Sequence, residues 1–212
     1  MSTDVVVTGP DHGGLAAWRA TRRALARVGA HARRSTPSRP IDDPLEALVV
    51  GGGAHVHPVL FGEPAEHPIR AYDTGRDAHE LTLLRRARRA RVLGICRGMQ
   101  LATVARGGSL YQDVWRVLGR RPPRRTIFAA RRVRVAPDSR LAELLGVTEL
   151  RVNSLHSQAL REWPSDVRPV AWDEDGVVQA VESERFLGVQ WHPEYLARAP
   201  KHRALFRWVA QG

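Results

Sequence analysis

Short apolar runs alternate along the chain with stretches in which apolar positions recur every three or four residues. Buried strands followed by helices that pack on the sheet produce this pattern, so the chain reads as an α/β fold with a mostly parallel central sheet. Val5 to Val7 form a first strand. From Leu15 to Val28, the residues Leu15, Trp18, Leu25 and Val28 share a helical face, Arg19, Arg22, Arg23 and Arg27 fall between them, and Gly29 follows as a C-cap. Residues 35–44, rich in Pro, Asp and Ser, read as a loop. Ala47 to Val50 form a short buried strand that runs into Gly51, Gly52 and Gly53. Asp77 and Glu80 match a capping box, with Asp77 as N-cap of a helix lined by Leu81, Leu84 and Ala87. Arg91 to Ile95 form another buried strand, which turns between Gly94 and Gly98 into a helix carrying Met99, Leu101, Ala102 and Val104. Further β-like runs fall at 127–135, 150–152, 167–172, 177–181 and 186–191, and the arginine-dense segment 116–134 reads as a loop leading into a strand.

Composition narrows the class. The 212 residues suit one domain spanning 1–212, and 43% hydrophobic residues suffice for a core without disulfide support. Cys96 is the only cysteine, which excludes an internal disulfide and a structural zinc site built on two or more cysteines. No apolar run approaches the ~18 residues of a membrane span, and the first ten residues lack the basic and apolar regions of a secretion signal. The expectation is a reduced, cytoplasmic protein with no membrane partner. The formal charge is +11, and of the 33 basic residues only Lys201 is lysine, leaving 32 arginines. They are scattered and no nucleic-acid motif accompanies them, so a compositional replacement of lysine by arginine explains them better than a nucleic-acid partner.

The sharpest local signal is Gly94-Ile95-Cys96-Arg97-Gly98, between an apolar strand and a helical pattern. This is a nucleophile elbow with cysteine in place of serine: the turn holds the nucleophile at the strand's end, and the flanking glycines let strand and helix approach closely. The N-terminus of the following helix favours a thiolate. A cysteine nucleophile needs a base, and His192 ends the apolar strand Phe186 to Trp191, with Pro193 and Glu194 after it. Glu194 is near enough to orient the imidazole. Gly51 to Gly53 can bring backbone N–H groups to a substrate oxygen, and with the N–H of Arg97 would form an oxyanion hole. The triplet is not a phosphate loop, since no Gly-Lys-Ser/Thr follows. His55 and His57 are one residue apart and no His-Glu-x-x-His helix is present, so no metal or other cofactor is expected.

These residues resemble the class I glutamine amidotransferase-like superfamily, and most of all its γ-glutamyl-γ-aminobutyrate hydrolase family. The resemblance is carried by Gly51 to Glu63, Arg76 to Glu80, Leu93 to Val114, Val152 to Leu160 and Gly188 to Glu194, in the family's order and over about a third of the chain. It implies a flavodoxin-like three-layer α/β sandwich and a triad of Cys96, His192 and Glu194. It further implies that Gln100 helps hold a glutamyl group, that Gly52 or Gly53 with Arg97 forms the oxyanion hole, and that Asn153, Ser154 and His156 lie close to the substrate. For these last three, the residue-level alternative is a loop held by Asn and Ser side-chain hydrogen bonds. Two departures from the family pattern bear on specificity. His55 stands where an acidic residue is frequent, and arginines replace expected histidines between Asp113 and Val133, so that Arg120, Arg121, Arg124 or Arg125 would contact an acidic leaving group.

The leading expectation is a stand-alone hydrolase of a small-molecule γ-glutamyl amide. The alternatives are a glutaminase supplying ammonia to a separate synthase partner, and a catalytically idle basic protein that binds nucleic acid. The sequence leaves the released amine, the pathway and any homodimer open.

Overall fold

The computed structural model describes residues 3–68 and 71–211. A nine-stranded sheet forms its centre, in the order β2-β1-β3-β4-β11-β10-β9-β6-β7. The first five of these are parallel: β2 (His31–Ser35), β1 (Asp4–Thr8), β3 (Ala47–Val50), β4 (Arg91–Ile95) and β11 (Phe186–Val189). Beyond β11, β10 (Val178–Glu182), β9 (Arg168–Asp173), β6 (Thr126–Val135) and β7 (Glu149–Ser154) pair antiparallel. The strands that carry the candidate site are thus parallel, whereas the far half of the sheet is not. Strands β5 (Ser109–Tyr111) and β8 (Ala159–Glu162) form a separate antiparallel pair.

Both faces of the sheet are covered, as its doubly apolar strands require: β3 is buried at every position. One core cluster joins Val5, Val7, Val49 and Ile95 to α1 (Leu15–Ala26), α5 (Arg140–Leu145) and α7 (Pro200–Gln211). The other joins Val6, Leu48, Val50 and Val92 to α2 (Thr74–Arg86) and α3 (Arg97–Val104). The short helices α4 (Val114–Val117) and α6 (Pro193–Leu196) sit beside the site. This is the flavodoxin-like α/β sandwich that the sequence implied.

Two local expectations need correction. Helix α2 begins a turn earlier than the capping box suggested: Asp73 is the N-cap, its carboxylate accepting from the Arg76 N–H at 3.0 Å. Asp77 and Glu80 therefore lie within the helix and are free for other work. Helix α1 ends at Ala26 with Arg27 as its C-cap, two residues before Gly29, which has a positive φ of 78° in the turn that follows. Strand β2 was not anticipated, because its polar sequence (His31, Arg33, Arg34) hides an edge strand that buries only Ala32 and Ser35.

Candidate active site

The chain turns sharply after β4. Cys96 has φ 52° and ψ −108° and is the one non-glycine residue with positive φ among the described residues. A side chain in this region is strained by about 1–3 kcal/mol, and the surroundings must hold it there. The Cys96 N–H donates to the Val189 carbonyl of β11 at 2.7 Å, which fixes the near side of the turn. On the far side, a Cβ on Gly98 would collide with the Val50 carbonyl, and one on Gly94 would come within 2.7 Å of the Met99 backbone. Glycine at both positions is what allows α3 to start so close to β3 and β4.

His192 follows β11, the neighbour of β4, and so arrives beside Cys96. Its Nδ1 lies 2.7 Å from the Glu194 carboxylate. Burial alone would lower the imidazole pKa, but Glu194, the Cys96 sulfur's charge and hydrogen bonds to both raise it well above its ordinary value. Tyr195 stacks on the ring, with centroids 5.6 Å apart. Gly52 presses from another side: a Cβ there would lie 2.5 Å from the His192 Cε1. Asn153 holds the backbone, its Oδ1 accepting from the His192 N–H at 2.8 Å and its Nδ2 donating to the His192 carbonyl at 3.0 Å. A second bond from Nδ2 reaches the Ile127 carbonyl at 3.1 Å, so both amide N–H groups are committed within the protein. Asn153 thus ties β7 to the His192 backbone through both its amide oxygen and its amide nitrogen.

Cys96 is 6% exposed and lines a chamber of about 30 Å³, together with Gly53, Arg97, Gln100, His55 and His156. That volume is about one water's share of liquid, so a larger group enters only if the walls shift. The Gly53 and Arg97 backbone N–H groups have no acceptor among the described residues. Gln100 donates to the Gln158 carbonyl at 2.8 Å and to the Gln190 side chain at 3.0 Å. Gln190, which the sequence reading did not single out, donates in turn to the Cys96 sulfur at 3.5 Å. His156 is kept neutral, its pKa pushed down to about 4 by burial; its Nδ1 faces the Gln158 carbonyl at 3.1 Å, and its buried Nε2 has no partner. Burial, with His67 and Arg125, also lowers His55, whose Nε2 meets the Ser157 hydroxyl at 3.0 Å. Ser154 lies on the wall of an adjoining cavity.

Behind the elbow lies a buried charge tetrad. Glu80 accepts from Arg76 Nε at 2.7 Å and from the Thr8 hydroxyl at 2.6 Å, and it also pairs with Arg97. Arg97 pairs in addition with Asp77. Burial would raise the Glu80 carboxyl, but Arg76, Arg97 and Thr8 outweigh it and hold it below its usual range. The same network pins the glycine triplet, since Arg76 donates to the Gly51 carbonyl at 2.9 Å and Thr8 accepts from the Gly51 N–H at 3.1 Å. The signal for it was the spacing of Arg76, Asp77 and Glu80, which places all three on adjoining parts of one helix face. Among the described residues no cluster of metal-binding side chains occurs, and no helix is long and apolar enough to cross a membrane.

A family model described as Peptidase C26 matches residues 32–194. The chain is 38% identical over 163 residues to the protein NtpR of Enterococcus hirae, covering 72% of this chain and 68% of that one. It is 35% identical over 159 residues to the γ-glutamyl-γ-aminobutyrate hydrolase PuuD of Escherichia coli, covering 68% of this chain and 62% of that one. The chain spans from 56% to 68% of the length of the curated relatives it matches. Among solved structures, a glutamine amidotransferase from Thermotoga maritima superposes with a TM-score of 0.64 at 16% identity, over 92% of this chain and 77% of that one.

Proposed function

Since the chain belongs to the Peptidase C26 family, within the cysteine-type amidotransferases and hydrolases, we propose that it hydrolyses a γ-glutamyl amide through Cys96, His192 and Glu194. The observation that carries this reading is the strained Cys96 beside an imidazole that Glu194 holds at 2.7 Å.

The chemistry follows from that placement. The Cys96 sulfur attacks the γ-carbonyl carbon, and the C–S bond forms as the carbonyl π electrons move to oxygen. In this reading the N–H groups of Gly53 and Arg97, which have no acceptor among the described residues, receive that oxyanion. On collapse the C–N bond breaks, and His192 gives its proton to the departing amine. Neutral His192 then takes a proton from water, whose oxygen attacks the thioester. The C–S bond breaks, leaving glutamate and the free enzyme. Glu194 keeps the imidazole oriented and stabilises its charged form throughout. The raised pKa of His192 supports this assignment, because it keeps the leaving-group proton available.

Incubation with glutamine, γ-glutamyl-aminobutyrate, γ-glutamyl polyamines and polyglutamates, followed by intact-mass measurement, tests the reading. A covalent adduct of one glutamyl group on the wild type, absent from Cys96→Ala, is expected. Turnover that persists in Cys96→Ala, or none by the wild type on any substrate, would overturn it. A glutaminase that serves a synthase would instead stay silent until its partner is added.

A further inference from the structure

Next to the Cys96 chamber lies a cavity of about 790 Å³, within the size range of small-molecule sites. The two compartments share Arg125 and Leu155 in their walls, so they are neighbours across these two residues. The cavity follows from a distortion in the sheet. Between the Thr126–Ser154 and Arg131–Val152 pairs, β6 advances five residues while β7 advances two. The surplus residues loop outward and leave Ile127 and Phe128 47% and 75% exposed. An unpaired apolar patch of this kind in a cavity wall is a contact surface rather than a core.

We propose that this cavity receives the departing half of the substrate, and that this half is an amine bearing a carboxylate and a bulky apolar side chain, as in a γ-glutamyl dipeptide of an aromatic amino acid. The proposal rests on the hydrolase reading and adds the substrate class. Three observations carry it. Arg124 and Arg125 on the cavity wall have no carboxylate partner among the described residues, whereas the nearby Arg120, Arg131 and Arg132 all do. Arg125 lines both compartments, between the Cys96 chamber and the cavity, and its guanidinium donates to the Leu155 carbonyl while keeping no carboxylate partner. Ser154 lines the cavity, and its buried hydroxyl has no hydrogen-bond partner among the described residues, so a small shift of the wall would offer it to a polar group of the ligand. Ile127 and Phe128 supply the apolar wall. Glu174 also lines the cavity, which suits a single carboxylate set against Arg125 and disfavours a polyanion.

Four probes separate the features: γ-glutamyl-phenylalanine carries both, γ-glutamyl-phenethylamide only the ring, γ-glutamyl-glycine only the carboxylate, and glutamine neither. The expected kcat/KM for γ-glutamyl-phenylalanine is about tenfold above either single-feature probe, the size of one charge-assisted hydrogen bond or one well-buried ring face. Arg125→Glu should erase the preference over the phenethylamide, and Phe128→Ala the preference over γ-glutamyl-glycine. Both side chains are exposed, and thermal melting verifies that each variant is folded. Equal kcat/KM for the four probes, or preferences that survive both substitutions, would overturn the proposal. If no probe is turned over, the hydrolase reading fails, and calorimetry decides the subsite separately. There, Cys96→Ala should bind γ-glutamyl-phenylalanine about tenfold more tightly than Cys96→Ala with Arg125→Glu, and equal affinity or no binding refutes the site.

Discussion

Replacing Glu80 by Gln tests how the elbow is held. Arg76, Asp77, Glu80 and Arg97 are 1%, 2%, 0% and 1% exposed, so two cations and two anions share a dry site of zero net charge. Gln is nearly isosteric but leaves one uncompensated positive charge among these groups. Removing one partner of a buried pair costs about 3–5 kcal/mol, against the 5–15 kcal/mol total stability of an ordinary domain. At roughly 2–4 °C per kcal/mol for a domain of this size, Tm should fall by about 6–20 °C. The sign with pH is also set. Glu80 is held below its usual carboxyl range, so its contribution is complete above the unfolded carboxyl pKa and is lost as pH falls through the lowered folded value. The variant's deficit should therefore be largest at neutral pH and shrink in acid. Urea unfolding across pH measures this, with an unchanged slope certifying that only stability has moved. Adding Arg76→Met to Glu80→Gln restores neutrality and should recover more than half of the loss, a coupling that a double-mutant cycle reads directly. A Glu80→Gln protein that melts within 2 °C of wild type would refute the argument.

Gly52→Ala places a methyl 2.5 Å from the His192 ring carbon, so kcat should fall by about a hundredfold with little change in Tm; steady-state kinetics with a melting curve checks both. Glu194→Gln removes the carboxylate that raises the His192 pKa, so the imidazole proton measured by NMR titration should come off at lower pH than in the wild type. His156 and His202 are both pushed down to about 4 by burial, so the unfolded chain binds more protons between about pH 4 and 6.5. Each histidine's contribution is complete above pH 6.5 and is lost toward pH 4, up to about 3 kcal/mol apiece, and urea midpoints should show this slope flattened in His202→Gln.

The parallel half of the fold was legible because its strands are short and apolar, and glycine follows β1 and β3 directly. Val5 to Val7, Ala47 to Val50 and Arg91 to Ile95 all fall where the pattern put them. The elbow was legible for a related reason: glycine spacing around Cys96 is a steric requirement, and steric requirements leave a mark in sequence. Strand β2 was not, since an edge strand buries too little to impose alternation. The role of Asp77 and Glu80 was hidden by a local motif that fits a helix start equally well, and only the packing of α2 against α3 shows their charges turned inward. Asn153 and Ser154 illustrate a different limit. They are neighbours in one motif, yet the strand's alternation sends the first to the His192 backbone and the second to the adjoining cavity.

The elbow and the tetrad form one device. A cysteine at φ 52° relaxes unless the residues on both sides are fixed. The N–H bond to Val189 fixes one side; on the other, the Cys96 carbonyl accepts from the Gln100 N–H at 3.2 Å, while the first N–H groups of α3 have no helical acceptor of their own. There the Arg97 side chain reaches Asp77 and Glu80 on α2, while Arg76, from that same helix, reaches the carbonyl of Gly51. The two arginines thus tie the elbow and the glycine triplet to one shared carboxylate, Glu80, with Asp77 as a second partner of Arg97, and so couple the position of the triplet to that of the elbow. A well-packed apolar substitute for the tetrad could match or exceed its stability, because burying charge is itself costly. It would lack directed bonds to the Gly51 carbonyl and so would not couple the two. Geometry at Cys96, rather than net stability, is what accounts for four charges in the driest part of the fold.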